Sequence, residues 1–267
     1  MSHISFVVSL ALVASAGILA QKLTPEDLVK RHLEHALASA DRAPRDREVR
    51  GTCQLSTTIM GAGRLDGPFT LTSLNDTSLF TLRFDQEVYE GESFGFDGEK
   101  VDVGFAQPRT SMRSALGLFL SLNRVAIREG LVGGVLNGQW ALFHVAERQA
   151  KLSYEGIKKL DGRDLHRLRY RARRDQGDLS ILLYFTPDTF RHVASVYESS
   201  RAQAMGRTPV ESSQLTEQRF RLHESFSDFD SPLAPLPASW VVRYSRSGDS
   251  TVEWKYECTV QSLGPKR

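Results

Sequence analysis

Residues 110–143, TSMRSALGLFLSLNRVAIREGLVGGVLNGQWALF, decide the fold, because their period differs from that of the sequence on either side. The flanks alternate apolar and polar residues in short runs, the pattern of half-buried strands. Inside the stretch the repeat turns helical. Arg113, Gly117, Ser121, Arg124 and Arg128 recur every three or four residues and draw one narrow polar stripe. Leu116, Leu118, Phe119, Leu120, Leu122, Val125, Ala126 and Ile127 fill the rest of the circumference, so such a helix has to be covered on most sides. Beyond Glu129 no charged side chain occurs until Glu147, while Leu131, Val132, Val135, Leu136, Trp140 and Phe143 keep the segment apolar. Gly130, Gly133, Gly134 and Gly138 predict a broken or short helix there. The stretch is expected either to fill a core against a sheet or to line and lid an apolar cavity.

Outward from this stretch, strands dominate. Before it, Val49, Cys53, Leu55 and Ile59 share one face of a first strand. Gly61-Ala62-Gly63 and Asp66-Gly67-Pro68 are expected turns, and Phe69 and Leu71 begin a second strand. Asn75-Asp76 turns the chain into a third, with Phe80, Leu82 and Phe84 alternating. Phe94 and Phe96 lead into Asp97-Gly98, and Val101, Val103 and Phe105 return as a hairpin. After it, strands are expected over 152–157, 164–171, 179–185, 190–197, 218–226, 240–244 and 251–260. Polar residues 201–213 and the proline-rich 230–237 read as loops. Strand following strand at this spacing predicts an antiparallel meander.

Two helices' worth of sequence remains at the amino terminus. Ile4 to Leu19 is apolar, ends in small residues, and reads as an export signal over residues 1–20, with Ala14-Ser15-Ala16 or Ala20-Gln21 as cleavage sites. It is too short and too serine-interrupted for a membrane anchor, and no cysteine follows it for lipid attachment. Thr24-Pro25-Glu26-Asp27 then opens an amphipathic helix with Leu28, His32, Leu33 and Leu37 on its apolar side. Residues 21–267 are expected to form one domain, periplasmic or secreted.

Composition is that of a globular protein, and a net charge of +2 gives no argument for nucleic acid. No nucleophile elbow, phosphate-binding glycine loop or dinucleotide fingerprint is present, so no enzyme and no cofactor are expected. His32 and His35 lack a recognisable third ligand, so no metal is expected. Cys53 and Cys258 can pair only if the first and last strands lie together; two separate buried thiols are the alternative. Asn75-Asp76-Thr77 fits a glycosylation sequon, relevant in a eukaryotic host alone. Arg167, Arg169, Arg171 and Arg173 share one face if they lie on a strand, and need acids or anions between them. They mark either a solvated strand crossed by acids or an anion-facing strip for head groups or an acidic partner.

The order of parts resembles the outer-membrane lipoprotein-sorting (LolA/LolB-like) superfamily. The resemblance rests on Phe94-Gly95-Phe96-Asp97-Gly98 with Val101 in the first strand block, and on Tyr184-Phe185-Thr186-Pro187-Asp188-Thr189-Phe190 in the second. It implies an α+β fold, mostly antiparallel: an incomplete, half-open barrel wrapped around an apolar helical plug, with an additional amino-terminal helix. It also implies a non-enzymatic carrier whose cavity receives acyl chains. On that expectation Leu116, Phe119, Leu120, Leu131, Leu136, Trp140 and Phe143 face Phe80, Leu82, Phe94 and Phe96 across an apolar cavity, with glycines 133, 134 and 138 as hinges. The partner would be a lipid or an acylated protein, with transient contact to a membrane or membrane protein, and the carrier a monomer. The family's arginine-proline pair has no counterpart in Ser73-Leu74-Asn75-Asp76-Thr77-Ser78, so its lipoprotein-handling arginine is not carried over. The rival expectation is an exported scaffold with a filled core that docks an acidic partner through the arginine strand.

Overall fold

A computed structural model describes residues 23–36, 45–58, 64–85, 89–107, 112–204, 215–247 and 252–265. The export segment, the 61–63 turn, Ile59 and most of the 201–213 loop lie outside them. The described strands form one open, curved antiparallel sheet of twelve, in the spatial order β5-β4-β3-β2-β1-β12-β11-β10-β9-β8-β7-β6. The first block comprises β1 (Arg47–Thr57), β2 (Arg64–Leu74), β3 (Thr77–Arg83), β4 (Gly91–Phe96) and β5 (Val101–Phe105). The second comprises β6 (Lys151–Leu160), β7 (Arg163–Arg171), β8 (Ser180–Phe185), β9 (His192–Ala204), β10 (Leu215–Ser227), β11 (Ser239–Ser247) and β12 (Val252–Pro265).

This order makes the topology simple. The chain begins mid-sheet at β1 and meanders to one edge at β5. It then crosses to the opposite edge at β6 and meanders back until β12 pairs with β1. The crossover between β5 and β6 is the apolar stretch that departs from the strand period. It carries α2 (Ala115–Leu122), α3 (Val125–Arg128), two 3-10 turns (Gly134–Leu136 and Ala141–Phe143) and α4 (Val145–Arg148). Because both ends of the crossover are tied to opposite edges, it must pass over one face of the sheet. That face is the apolar one: Phe80 stacks on Phe94 at 5.6 Å between ring centres, and Trp240 meets Phe80 at 4.9 Å and Phe69 at 5.9 Å. Bulges at Arg50/Gly51, between Tyr154 and Ile157, and at Tyr184/Phe185 interrupt the ladders and help the sheet bend.

Both turn motifs of the sequence are hairpin connections. Asp97 joins β4 to β5, its carboxylate accepting from Glu99 N and Lys100 N. Residues 186–191 join β8 to β9, closed by Thr186 N donating to Arg191 O. The amino-terminal α1 (Pro25–Ala36) is capped by Thr24, whose hydroxyl accepts from Asp27 N and donates to the Asp27 carboxylate. The register places Cys53 opposite Cys258, and the two are joined as a disulfide.

Four expectations need correction. Asp66-Gly67-Pro68 is not a turn but part of β2, where a Cβ on Gly67 would come within 1.8 Å of Arg83 O. Pro68 stands opposite Thr52 of β1 and just outside the β2–β3 ladder, which begins at Phe69. The expected long helix breaks at Asn123, which caps α2 through Phe119 O. The expected polar stripe is misphased as well: Gly117 is buried, whereas Leu118 and Leu122 are 49% and 48% exposed. Glu92 rises from β4 against Gly117, where a Cβ would lie 1.9 Å from its Oε1, so the helix turns its smallest residue inward. Finally, β7 ends at Arg171, so Arg173 leaves the strand that would align it with Arg167, Arg169 and Arg171.

Candidate apolar binding site

The crossover is held to the sheet by a few buried polar side chains rather than by helix packing alone. Its sharpest turn, Leu131 to Leu136, is gripped at both ends. Glu224 on β10 accepts from Gly133 N at 2.8 Å and from Trp240 Nε1 at 3.0 Å, and its Oε2 lies 2.8 Å from the Tyr197 hydroxyl. Arg47 on β1, itself buried, donates to Leu136 O at 3.1 Å and to Val135 O. Glu224 thus satisfies an N–H at the start of the buried turn and Arg47 satisfies the carbonyls at its end. Gly133, at φ 82°, adopts the left-handed region that this turn requires. On β2, Ser73 donates to Asn137 Oδ1 at 3.1 Å and accepts from Gly138 N at 2.9 Å.

Burial shifts the charges involved. Removal from water pushes Glu224 up to about 7 despite its contacts with Gly133 N, Trp240 Nε1 and Tyr197. Burial likewise brings Arg47 down to about 10. Tyr197 Oη lies 2.8 Å from Glu224 Oε2 and 3.1 Å from Leu131 O, with a single hydrogen to offer. Both contacts become hydrogen bonds when Glu224 is protonated, donates to Tyr197, and Tyr197 donates onward to Leu131 O.

A second polar knot ties α1 down. His32 Nδ1 lies 3.1 Å from Phe190 O, and Trp140 Nε1 donates to His32 Nε2 at 3.2 Å. The ring is therefore neutral with its proton on Nδ1, and burial lowers its pKa to about 4. His192 packs tilted on Trp140 and meets Ser195 Oγ at 3.0 Å through Nε2. A serine beside a histidine suggests a nucleophile and base. Here both side chains are buried, desolvation holds His192 well below its usual pKa, and no carboxylate orients Nδ1. The pair is a structural contact. Among the described residues no group of His, Cys, Asp or Glu has metal-ligand geometry.

The apolar candidates come together. Leu116, Phe119, Leu120, Leu131, Leu136, Trp140 and Phe143 from the crossover join Phe80, Leu82 and Phe94 from the sheet in one buried cluster. Phe96 is only half-buried, at the rim of an 860 Å³ charged cleft with Arg128, Glu129, Arg148 and Arg173. The arginine row is divided. Arg167 and Arg169 both pair with Glu155 of β6 at 2.6 Å, while Arg169, Arg171 and Arg173 line a depression around the β7–β8 connection.

One apolar opening reaches the crossover from outside. Between α1, α4 and the start of β6 lies a groove of 680 Å³ walled by Val29, Leu33, Val145, Ala146, Ala150 and Leu152, with Glu26, Lys30 and Glu34 at its rim. Its size suits a small ligand or a single hydrocarbon chain. Leu33, Val145, Ala150 and Leu152 pack against the cluster that holds Val29 and Phe143, so the groove abuts the candidate residues where α1 covers them. The sequence did not single out this groove. Its walls come from three separate elements, and its one local signal is the run Val145-Ala146 resuming after Phe143.

No protein-family model and no curated protein matches the chain. Among solved structures it is similar to a LolA superfamily protein from Nitrosomonas europaea, with 14% identity, a TM-score of 0.50, and coverage of 92% of this chain and 94% of that one. It is also similar to a putative outer membrane lipoprotein-sorting protein domain from Vibrio parahaemolyticus, with 9% identity, a TM-score of 0.43, and coverage of 88% and 92%. The first likeness bears on the fold: the open, curved antiparallel sheet is arranged as in a LolA superfamily protein.

Proposed function

We propose that this chain is an exported, non-enzymatic binding protein for a long apolar ligand, the acyl chain of a lipid or of an acylated protein. The observation that carries this reading is the apolar groove beneath α1, open to solvent and continuous with the crossover. A hydrocarbon chain entering there gains about 0.8 kcal/mol per buried methylene, so binding needs no chemical step. In this reading the sheet is a half-open barrel, and the crossover is a plug that yields to the chain. Leu116, Phe119, Leu120, Leu131, Leu136, Trp140 and Phe143, with Phe80, Leu82, Phe94 and Phe96, form the wall beyond the groove. In this reading the movement hinges at the left-handed glycines 133 and 134 between short helical pieces, and the Glu224 and Arg47 bonds to the turn open with it. The apolar segment over residues 4–19 supports export to the periplasm.

The test begins at the groove. Ala146→Trp fills it and Leu33→Glu charges it, and both positions are accessible enough for the variants to fold. Each is expected to weaken uptake of a fluorescent fatty acid at least about tenfold, the loss of two or more buried methylenes. Circular dichroism controls for folding. Unchanged uptake in both folded variants removes the groove from the site, and absence of uptake by the wild-type protein rejects the carrier reading. The rival, an acidic partner docked on the arginine strand, is weakened by Glu155, which already pairs with Arg167 and Arg169.

A further inference from the structure

We propose that the free edge formed by β5 and α2 is a docking surface for an anionic lipid bilayer. Among the described strands β5 has a neighbour on one side only, β4. Phe105 stands in register with Glu92 and Leu82, so Val101, Val103 and Phe105 project from the inner face of that edge. On β3 and β4 the inner-face Phe80, Leu82 and Phe94 are sealed, whereas at the edge Phe96, Val101 and Val103 are half-buried and Phe105 is 38% exposed. The element that covers them, α2, turns Leu118 and Leu122 outward, one helical turn apart, instead of polar residues. The result is an apolar rim where the sheet stops.

Charge decides what fits the rim. From Asp102 to Glu129 the sequence holds arginines and no acid between those two positions. Arg113 lies over the Phe105 ring at 5.0 Å and donates to Val103 O at 3.0 Å, fixing a cation beside the exposed aromatic. Arg124, exposed just past Leu122, bonds within its own turn, to Ser121 O, and leaves its charge toward solvent. Nearby acids point elsewhere. Asp102 alternates to the outer face, Glu92 is buried under Gly117, and Glu99 sits in the β4–β5 turn by the charged cleft. Exposed leucines on a short helix flanked by arginines, without acids, match an interface of acyl chains under anionic head groups. The choice of a bilayer as partner rests on the proposed function, because a membrane is where an acyl ligand resides.

The experiment is co-sedimentation of the full chain with vesicles of phosphatidylcholine alone and of equimolar phosphatidylcholine and phosphatidylglycerol, with fatty-acid uptake measured in parallel. Wild-type protein is expected to bind the anionic vesicles, less at high salt, and the neutral ones weakly. Leu118→Asp/Leu122→Asp replaces exposed side chains, so the fold is kept, and is expected to lower vesicle binding at least about tenfold while fatty-acid uptake persists. Arg124→Glu is expected to reduce binding to the anionic vesicles alone. Wild-type protein that ignores both vesicles, equal binding to both, or an unaffected leucine variant overturns the proposal and leaves the edge to a protein strand. Those outcomes leave the uptake measurement standing, so docking and ligand binding fail separately.

Discussion

At the scale of single residues, the informative positions are charges placed where the strand pattern calls for apolar side chains. On β10 the inward row reads Leu222, Glu224, Phe226, all fully buried. A carboxylate in that phase is visible in the sequence as an interruption of the alternation. Its partners, Gly133 and Trp240, lie 91 and 16 residues away and are not visible. Glu224 gives a signed prediction. Its folded pKa of about 7 stands above the ordinary 4.5, so the folded state keeps a proton that the unfolded chain releases. The stability this lends is whole below pH 4.5 and is lost as pH rises through 7. Glu224→Gln reproduces the protonated hydrogen-bond pattern without titrating. Denaturant unfolding across that window is expected to show the variant gaining on wild type by up to about 3 kcal/mol at the alkaline end. Parallel curves for the two proteins refute the assignment. His32, neutral in its knot with a pKa of about 4, acts in the opposite sense, costing stability as pH falls below 6.5.

At the scale of elements, α2 shows why an amphipathic pattern does not fix a helix's rotation. Counting apolar residues around the circumference puts Gly117 on the polar stripe. The buried carboxylate of Glu92 claims that position instead, held by Ser114 and by the Tyr89 hydroxyl at 3.0 Å. Alanine forms helix more readily than glycine, by about 1 kcal/mol. Gly117→Ala is nevertheless expected to destabilise the protein by about 1–3 kcal/mol in urea unfolding, because the new methyl overlaps Glu92. A stabilised variant would mean that Glu92 moves aside freely and does not set the helix's orientation. α1 is simpler: its start was legible from Thr24-Pro25-Glu26-Asp27, and its burial of His32 depends on Phe190 and Trp140, far along the chain.

At the scale of the whole molecule, the closure of the chain on itself is the decisive contact. β1 and β12 are the first and last of the described strands, and their pairing merges two meanders into one sheet. Cys53 and Cys258 are cross-linked at that seam over a separation of 205 residues. A link between such distant positions removes much of the freedom of the unfolded chain. Cys53→Ser/Cys258→Ser is expected to lower the unfolding free energy by about 2–4 kcal/mol, read from denaturant midpoints, while the far-ultraviolet spectrum stays that of the folded sheet. An unshifted midpoint would show that strand pairing alone secures the seam.

The sequence by itself determined the strand periods, the helix start at Thr24, the hairpins at Asn75-Asp76 and Asp97-Gly98, and the apolar crossover, because each depends on residues within a turn or two. Tertiary structure alone decided the Cys53–Cys258 bond, the passage of Pro68 through a strand, the rotation of α2, the polar grip on the crossover and the groove under α1. Each of these joins residues from separate elements, and their energies come from register, burial and close contact that local periodicity does not encode.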